Sequence, residues 1–182
     1  MRQKTAWKQF AKRHGLTYDN RSVLSSSVVG GIYRNYGLAI FSEAQMDGDS
    51  RGRKFRTIIQ MELPPGMPTE GVIATQSMKE MASLLGLEHP YAPENGNWDA
   101  SIYLKTQDVE KMKSYLTSQR VAALYALMTA KGLGALFIFN EKETLLRIET
   151  AEPLDQVDRL EKLINKICDT ADKLLIDKKP SA

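Results

Sequence analysis

The chain has 182 residues, of which 42% are apolar and 26% charged, and it carries a formal charge of +3. A chain of this length, read as one domain over residues 1–182, buries roughly 70% of its unfolded surface, and its composition is that of a globular protein rather than a disordered one. No apolar run approaches the ~18 residues of a membrane span, the basic start MRQKTAWKQFAKRHG lacks the apolar core of a secretory signal, and the lone Cys168 leaves no internal disulfide or cysteine-rich metal site, so a soluble cytoplasmic protein without a cofactor is expected.

Trp7, Phe10, Ala11 and His14 recur at helical spacing, with Lys4, Lys8, Lys12 and Arg13 pointing elsewhere and Gly15 placed to end a short first helix. Ser22 to Tyr33 and Leu38 to Met46 read as two strands of a hairpin turning at Asn35-Tyr36-Gly37. The turn segment MDGDSRG leads into the clearest strand, RKFRTIIQMEL. There Phe55, Thr57, Ile59, Met61 and Leu63 form a core face against Lys54, Arg56, Gln60 and Glu62, with Ile58 an exception on the wet side. Pro64, Pro65 and Pro68 end it, and GVIATQ, 71–76, is a fourth strand. Ser77 and Glu80 form a capping box for a helix that buries Met78, Met81, Ala82 and Leu85 and closes at Gly86.

Residues 87–97, LEHPYAPENGN, have no periodicity and read as a surface loop between two halves, 1–86 and 98–178. The second half opens with a strand over 98–106. Asp108 caps a helix carrying Val109, Met112, Tyr115 and Leu116; Thr117 or Ser118 caps the next, with Val121, Leu124, Tyr125, Leu127 and Met128 inward and Gly132 at its end. Residues 135–140 and 143–150 make a hairpin around Glu141-Lys142. The last element, Pro153 to Ile176, carries Leu154, Val157, Leu160, Ile164, Ile167, Ala171 and Leu174 at steps of three and four, an apolar stripe along a helix of roughly 36 Å. Hairpins with helices grouped between them predict an α+β fold: a mostly antiparallel sheet built from two hairpin-containing halves, with the long C-terminal helix packed across one face.

Trp98-Asp99, Tyr103-Leu104-Lys105 with Asp108, Tyr115-Leu116-Thr117, and the closing Leu145-Leu146-Arg147-Ile148 hairpin and helix resemble a family of uncharacterised bacterial domains over roughly residues 98–176. The resemblance implies a bacterial source and a domain of unknown function. It brings no catalytic residues, and the membrane helices often found in such proteins have no counterpart here.

Catalytic chemistry finds little purchase. His14 and His89 are the only histidines and have no metal-ligand spacing around them. The Ser25-Ser26-Ser27 run lacks a nucleophile elbow, Gly30-Gly31 lacks the rest of a phosphate loop, and Asp47-Gly48-Asp49 lacks the later ligands of a calcium loop. A non-enzymatic interaction module or accessory factor with a protein partner is the leading expectation. Two alternatives stand beside it. Residues 1–56 hold eleven Lys or Arg against four acids, and Arg51, Arg53, Lys54 and Arg56 are candidate anion or nucleic-acid contacts, with Arg21 or Arg34 alongside and Tyr33 or Tyr36 to stack on a base. A sheet gripping a long helix can also hold a small apolar ligand between them, with Met61, Met78, Met81, Met112 and Met128 as adaptable walls.

Overall fold

A computed structural model describes residues 2–19, 28–45, 54–94, 98–140 and 142–176. Among these residues nine strands form one sheet in the order β1-β2-β3-β4-β9-β8-β5-β7-β6, every neighbouring pair antiparallel. They are β1 (Thr17–Asp19), β2 (Val28–Tyr33), β3 (Tyr36–Gln45), β4 (Lys54–Leu63), β5 (Gly71–Ala74), β6 (His89–Pro90), β7 (Tyr103–Thr106), β8 (Leu133–Phe139) and β9 (Thr144–Thr150). Helices α1 (Arg2–His14), α3 (Val109–Tyr115), α4 (Ser118–Met128) and α5 (Val157–Leu174) contribute to one core, whereas α2 (Lys79–Ser83) packs with a separate, smaller cluster. The expected α+β architecture is therefore observed, with the long last helix on the sheet.

The main core follows the periodicities. Trp7, Phe10 and Ala11 of α1 are buried, and the helix closes as Gly15 takes φ 66° and the Leu16 N–H donates to the Ala11 carbonyl at 2.9 Å, the long bond of a Schellman motif. On α5, Leu160, Ile164, Ile167, Cys168, Ala171 and Leu174 are wholly buried. They pack in one cluster with Ile40, Ile59, Met61, Phe137, Leu146 and Ile148 of the sheet. Asp108 and Thr117 cap α3 and α4 by accepting from the N–H groups of Lys111 and Arg120. Asn140 closes the β8–β9 turn by accepting from the Lys142 and Glu143 N–H groups.

Several expectations are corrected. The first hairpin turns at Arg34-Asn35, with φ 49° and 69°, rather than at Asn35-Tyr36-Gly37. Tyr33 pairs Tyr36 across this two-residue turn, as right-twisted strands require, and both rings enter the helix-side core. Its first strand is described from Val28 onward; Ser22 to Ser27 and the 46–52 turn lie outside the described residues. The last helix begins at Val157, not Pro153, and is about 27 Å long. Residues 153–156 connect β9 to the helix, and Leu154 reaches the core from that connection.

The 98–106 strand is only Tyr103–Thr106, because Asp99 first makes a turn, its carboxylate accepting from the Ser101 N–H and its carbonyl from Ile102. No capping box opens α2. The Ser77 hydroxyl instead lies 3.1 Å from that of Thr75, which accepts from the Ala135 N–H, and a 3-10 turn over Gln76–Met78 precedes the helix. Phe55, Met81, Leu85 and Tyr125, expected inward, are exposed. The 87–97 loop does not divide the sheet: β5 and α2 precede it, yet β5 lies between β8 and β7.

Candidate functional site

Arg56 stands on the sheet face opposite α5, directly across from Glu43, and its guanidinium lies 3.3 Å from Glu149 Oε2. Glu149 also takes Arg147, whose Nε donates at 3.0 Å and whose second terminal nitrogen spans to Glu43 at 2.7 Å. The Arg147 guanidinium rests 6.0 Å from the Phe41 ring centroid. Ile58 pairs with both Phe41 and Glu149 and is completely buried on this face, so it is no wet-side exception. Among the described residues, long side chains from neighbouring strands take the place of a second layer there.

The expected nucleic-acid grouping is not brought together among the described residues. Arg51, Arg53 and Arg21 lie outside them, as does the Lys54 side chain. Tyr33 and Tyr36 are on the other face from Arg56, where neither ring is free to stack. The Tyr33 hydroxyl donates to Asn165 Oδ1 at 2.9 Å and the Tyr36 hydroxyl donates to Asp172, while Arg34 bridges Asp169 at 2.7 Å and Asp172 at 3.2 Å. Burial, then the hydrogen bond to Asp172, holds the Tyr36 hydroxyl protonated well above the usual tyrosine range. Cys168 is buried, and that burial pushes its thiol up to about 11, the opposite of an activated nucleophile. These contacts fasten the hairpin tip to α5.

His14 is sandwiched against Phe10 at 4.7 Å and Tyr33 at 5.0 Å, with Nε2 3.1 Å from Glu161. His89 is exposed in β6. Among the described residues no group of three or more His, Cys, Asp or Glu side chains is placed to hold a metal ion. Met61, Met78, Met112 and Met128 are buried in the clusters on the two faces.

Two surfaces remain that the pattern of residues did not announce. On α2 and the turn after it, Met81, Leu84 and Leu85 are 41%, 85% and 43% exposed, three large apolar side chains within five residues. Along the outer side of α5 runs an open groove of about 1070 Å³, bounded by the α4–β8 turn and the β9–α5 connection. Leu154, Leu163, Leu133 and Ala130 give it an apolar floor. Its four acids are all engaged. Glu152 is 2.7 Å from Arg159, Asp158 and Glu161 are 3.3 and 2.6 Å from Arg13, and Asp169 is 2.7 Å from Arg34.

A smaller recess of about 560 Å³ lies beyond the end of α5. Arg120 donates there to the carbonyls of Tyr115 and Leu175, the ends of α3 and α5, and stacks on the Tyr115 ring at 4.7 Å. The Tyr115 hydroxyl donates to the Leu174 carbonyl at 2.7 Å. This arrangement seals two helix C-termini and leaves Arg120 little freedom to bind anything else. Compared with protein-family models and with curated proteins, the chain matches none.

Proposed function

We propose that this chain is a non-enzymatic interaction module that engages a protein partner in the cytoplasm. The observation that carries the reading is the ridge of Met81, Leu84 and Leu85. Side chains of this size inside one helical turn keep apolar surface in water, and contiguous exposure of that kind is characteristic of surfaces that are covered in an assembly. The ridge spans α2 and the turn after it, and the inner side of this segment, through Met78 of the 3-10 turn and Ala82 of α2, is already packed on β5 and β8 by way of Val72, Ala74 and Leu136. The outward side chains are therefore surplus to the chain's own packing, and an apolar patch on a protein partner is the occupant that suits them.

The test places a photo-crosslinking side chain at Leu84 in the producing host, with exposed Lys142 as the control position. A discrete protein adduct from position 84, absent at 142 and lost in Met81→Asp/Leu85→Asp, supports the reading, provided thermal melting of the variant stays that of the parent. Equal labelling from both positions, or none, overturns it. Native mass spectrometry of the gently purified protein supplies the contrast, because a bound apolar small molecule in place of a protein would favour a carrier.

A further inference from the structure

We propose that the groove along α5 is a docking site for an acidic amphipathic helix of a partner protein. This is a second surface, separate from the ridge on α2, and either can fail without the other.

Lys131 on the α4–β8 turn and Lys162 and Lys166 on α5 line the groove and make no ion pair among the described residues, whereas each of the groove's acids is held by an arginine. Two of those arginines, Arg13 and Arg34, reach in from α1 and from the β2–β3 turn, so six cations meet the groove's four acids, Arg34 being shared with Asp172. What faces outward uncompensated is positive. Lys162 and Lys166 are four residues apart and so stand one turn above the other on the same side of α5. Lys131 lies on the facing wall, and half-buried Leu163 and Leu133 lie between them.

Shape then selects among acidic ligands. The α5 wall runs from Asp158 to Asp169, roughly 17 Å along the helix axis, the length of about three helical turns. A trough of that length with a leucine floor and lysines on both walls matches a helix carrying apolar residues at i, i+3, i+4 and i+7 and carboxylates on its flanks. A compact anion would leave the floor wet.

The experiment uses the full chain and a fluorescein-labelled synthetic helix of about twelve residues, with leucine on one face and glutamate on both flanks, read by anisotropy. Saturable binding is expected. It should weaken about tenfold or more in Lys131→Glu/Lys162→Glu/Lys166→Glu and in Leu163→Asp, fall with added salt, and be unchanged in Leu84→Asp/Leu85→Asp. The same helix with lysine replacing glutamate should bind about tenfold more weakly. The Leu163→Asp comparison is read only with an unchanged circular-dichroism melt; the lysine variants lie on exposed positions and carry the test alone if it shifts. No saturable binding up to about 1 mM peptide, or equal affinity of parent and triple variant, overturns the proposal. So does retention of the chain on phosphatidylglycerol vesicles that the peptide does not displace, which would assign the lysines to a membrane surface.

Discussion

The two faces of the sheet solve the same problem by different means. On one, Ile40, Ile59, Phe137 and Ile148 are covered by the apolar sides of helices, and the boundary is dry. On the other, among the described residues, α2 and its 3-10 turn shield only the part made by β8, β5 and β7, and over β3, β4 and β9 lie the paired side chains of the strands themselves. There Arg147 and Glu149, with Arg56 and Glu43 at the sides, lie across Phe41 and Ile58. An apolar strand position therefore requires not a second layer but enough carbon above it, and the stem of a paired arginine can supply that.

The contrast can be broken first at its dry side. Phe137→Ala removes a fully buried ring and should cost about 3–5 kcal/mol by urea unfolding, whereas Phe41→Ala, half-covered by Arg147, should cost about 1 kcal/mol. Comparable losses would mean that the charged cover is as well packed as the helical one. Next comes the cover itself. Glu149→Ala takes a shared carboxylate from two arginines, leaving Arg147 its pair with Glu43, and should lose about 1–2 kcal/mol, while Arg147→Leu/Glu149→Leu, which removes both charges and keeps the carbon, should lose less. A single variant as stable as the parent would reduce the network to ornamented solvent contact.

A third test uses alkali. The folded state raises the hydroxyl pKa of Tyr115 and Tyr36 above their ordinary 10.0, mainly by burial, and raises the Cys168 thiol from 9.0 to about 11. A raised pKa means that the native chain holds its protons where the unfolded chain releases them. The associated stability is complete below pH 9, begins to fall as the thiol passes 9.0, and falls more steeply above 10.0, by up to about 1.4 kcal/mol per pH unit for each group. All three groups lie on the helix-covered side, so Tyr115→Phe should flatten the alkaline limb of urea midpoints measured from pH 8 to 11, an interval chosen to span about one unit either side of the ordinary values. The smallest effect belongs to Arg13→Ala, whose pairs with Asp158 and Glu161 sit in solvent; thermal melting should not resolve it from the parent.

How far the pattern of residues reached follows the same division. The α5 stripe, the alternation of β4 from Thr57 onward and the Asp108 and Thr117 caps were legible because each depends on neighbours within a turn or two of the same element; Phe55, at the start of that alternation, is 57% exposed. Ile58 was not legible, since its cross-strand neighbours are Phe41 and Glu149, the latter some ninety residues later in the chain. Nor was the fate of Ser77: its hydroxyl lies against that of Thr75, which the Ala135 N–H of β8 holds, instead of capping a helix. The groove on α5 is invisible in the chain for a similar reason. Its lysines are conspicuous only once Arg13 and Arg34, from the other end of the sequence, have taken the acids.

The junction of β4 with β9, Thr57 to Leu63 against Thr150 to Thr144, has a consequence for biosynthesis. A ribosome that has just released β4 must add roughly 80 more residues before its partner appears, about 4 to 16 s at ordinary elongation rates. Throughout that interval the nascent meander presents a bare strand edge with Ile58, Ile59 and Met61 along it. Arg56, Gln60 and Glu62, followed at once by Pro64 and Pro65, interrupt that edge with polar side chains and with residues unable to extend a ladder, so Arg56, which pairs with Glu149 on the finished sheet, also guards the unfinished one against a neighbour on the same polysome.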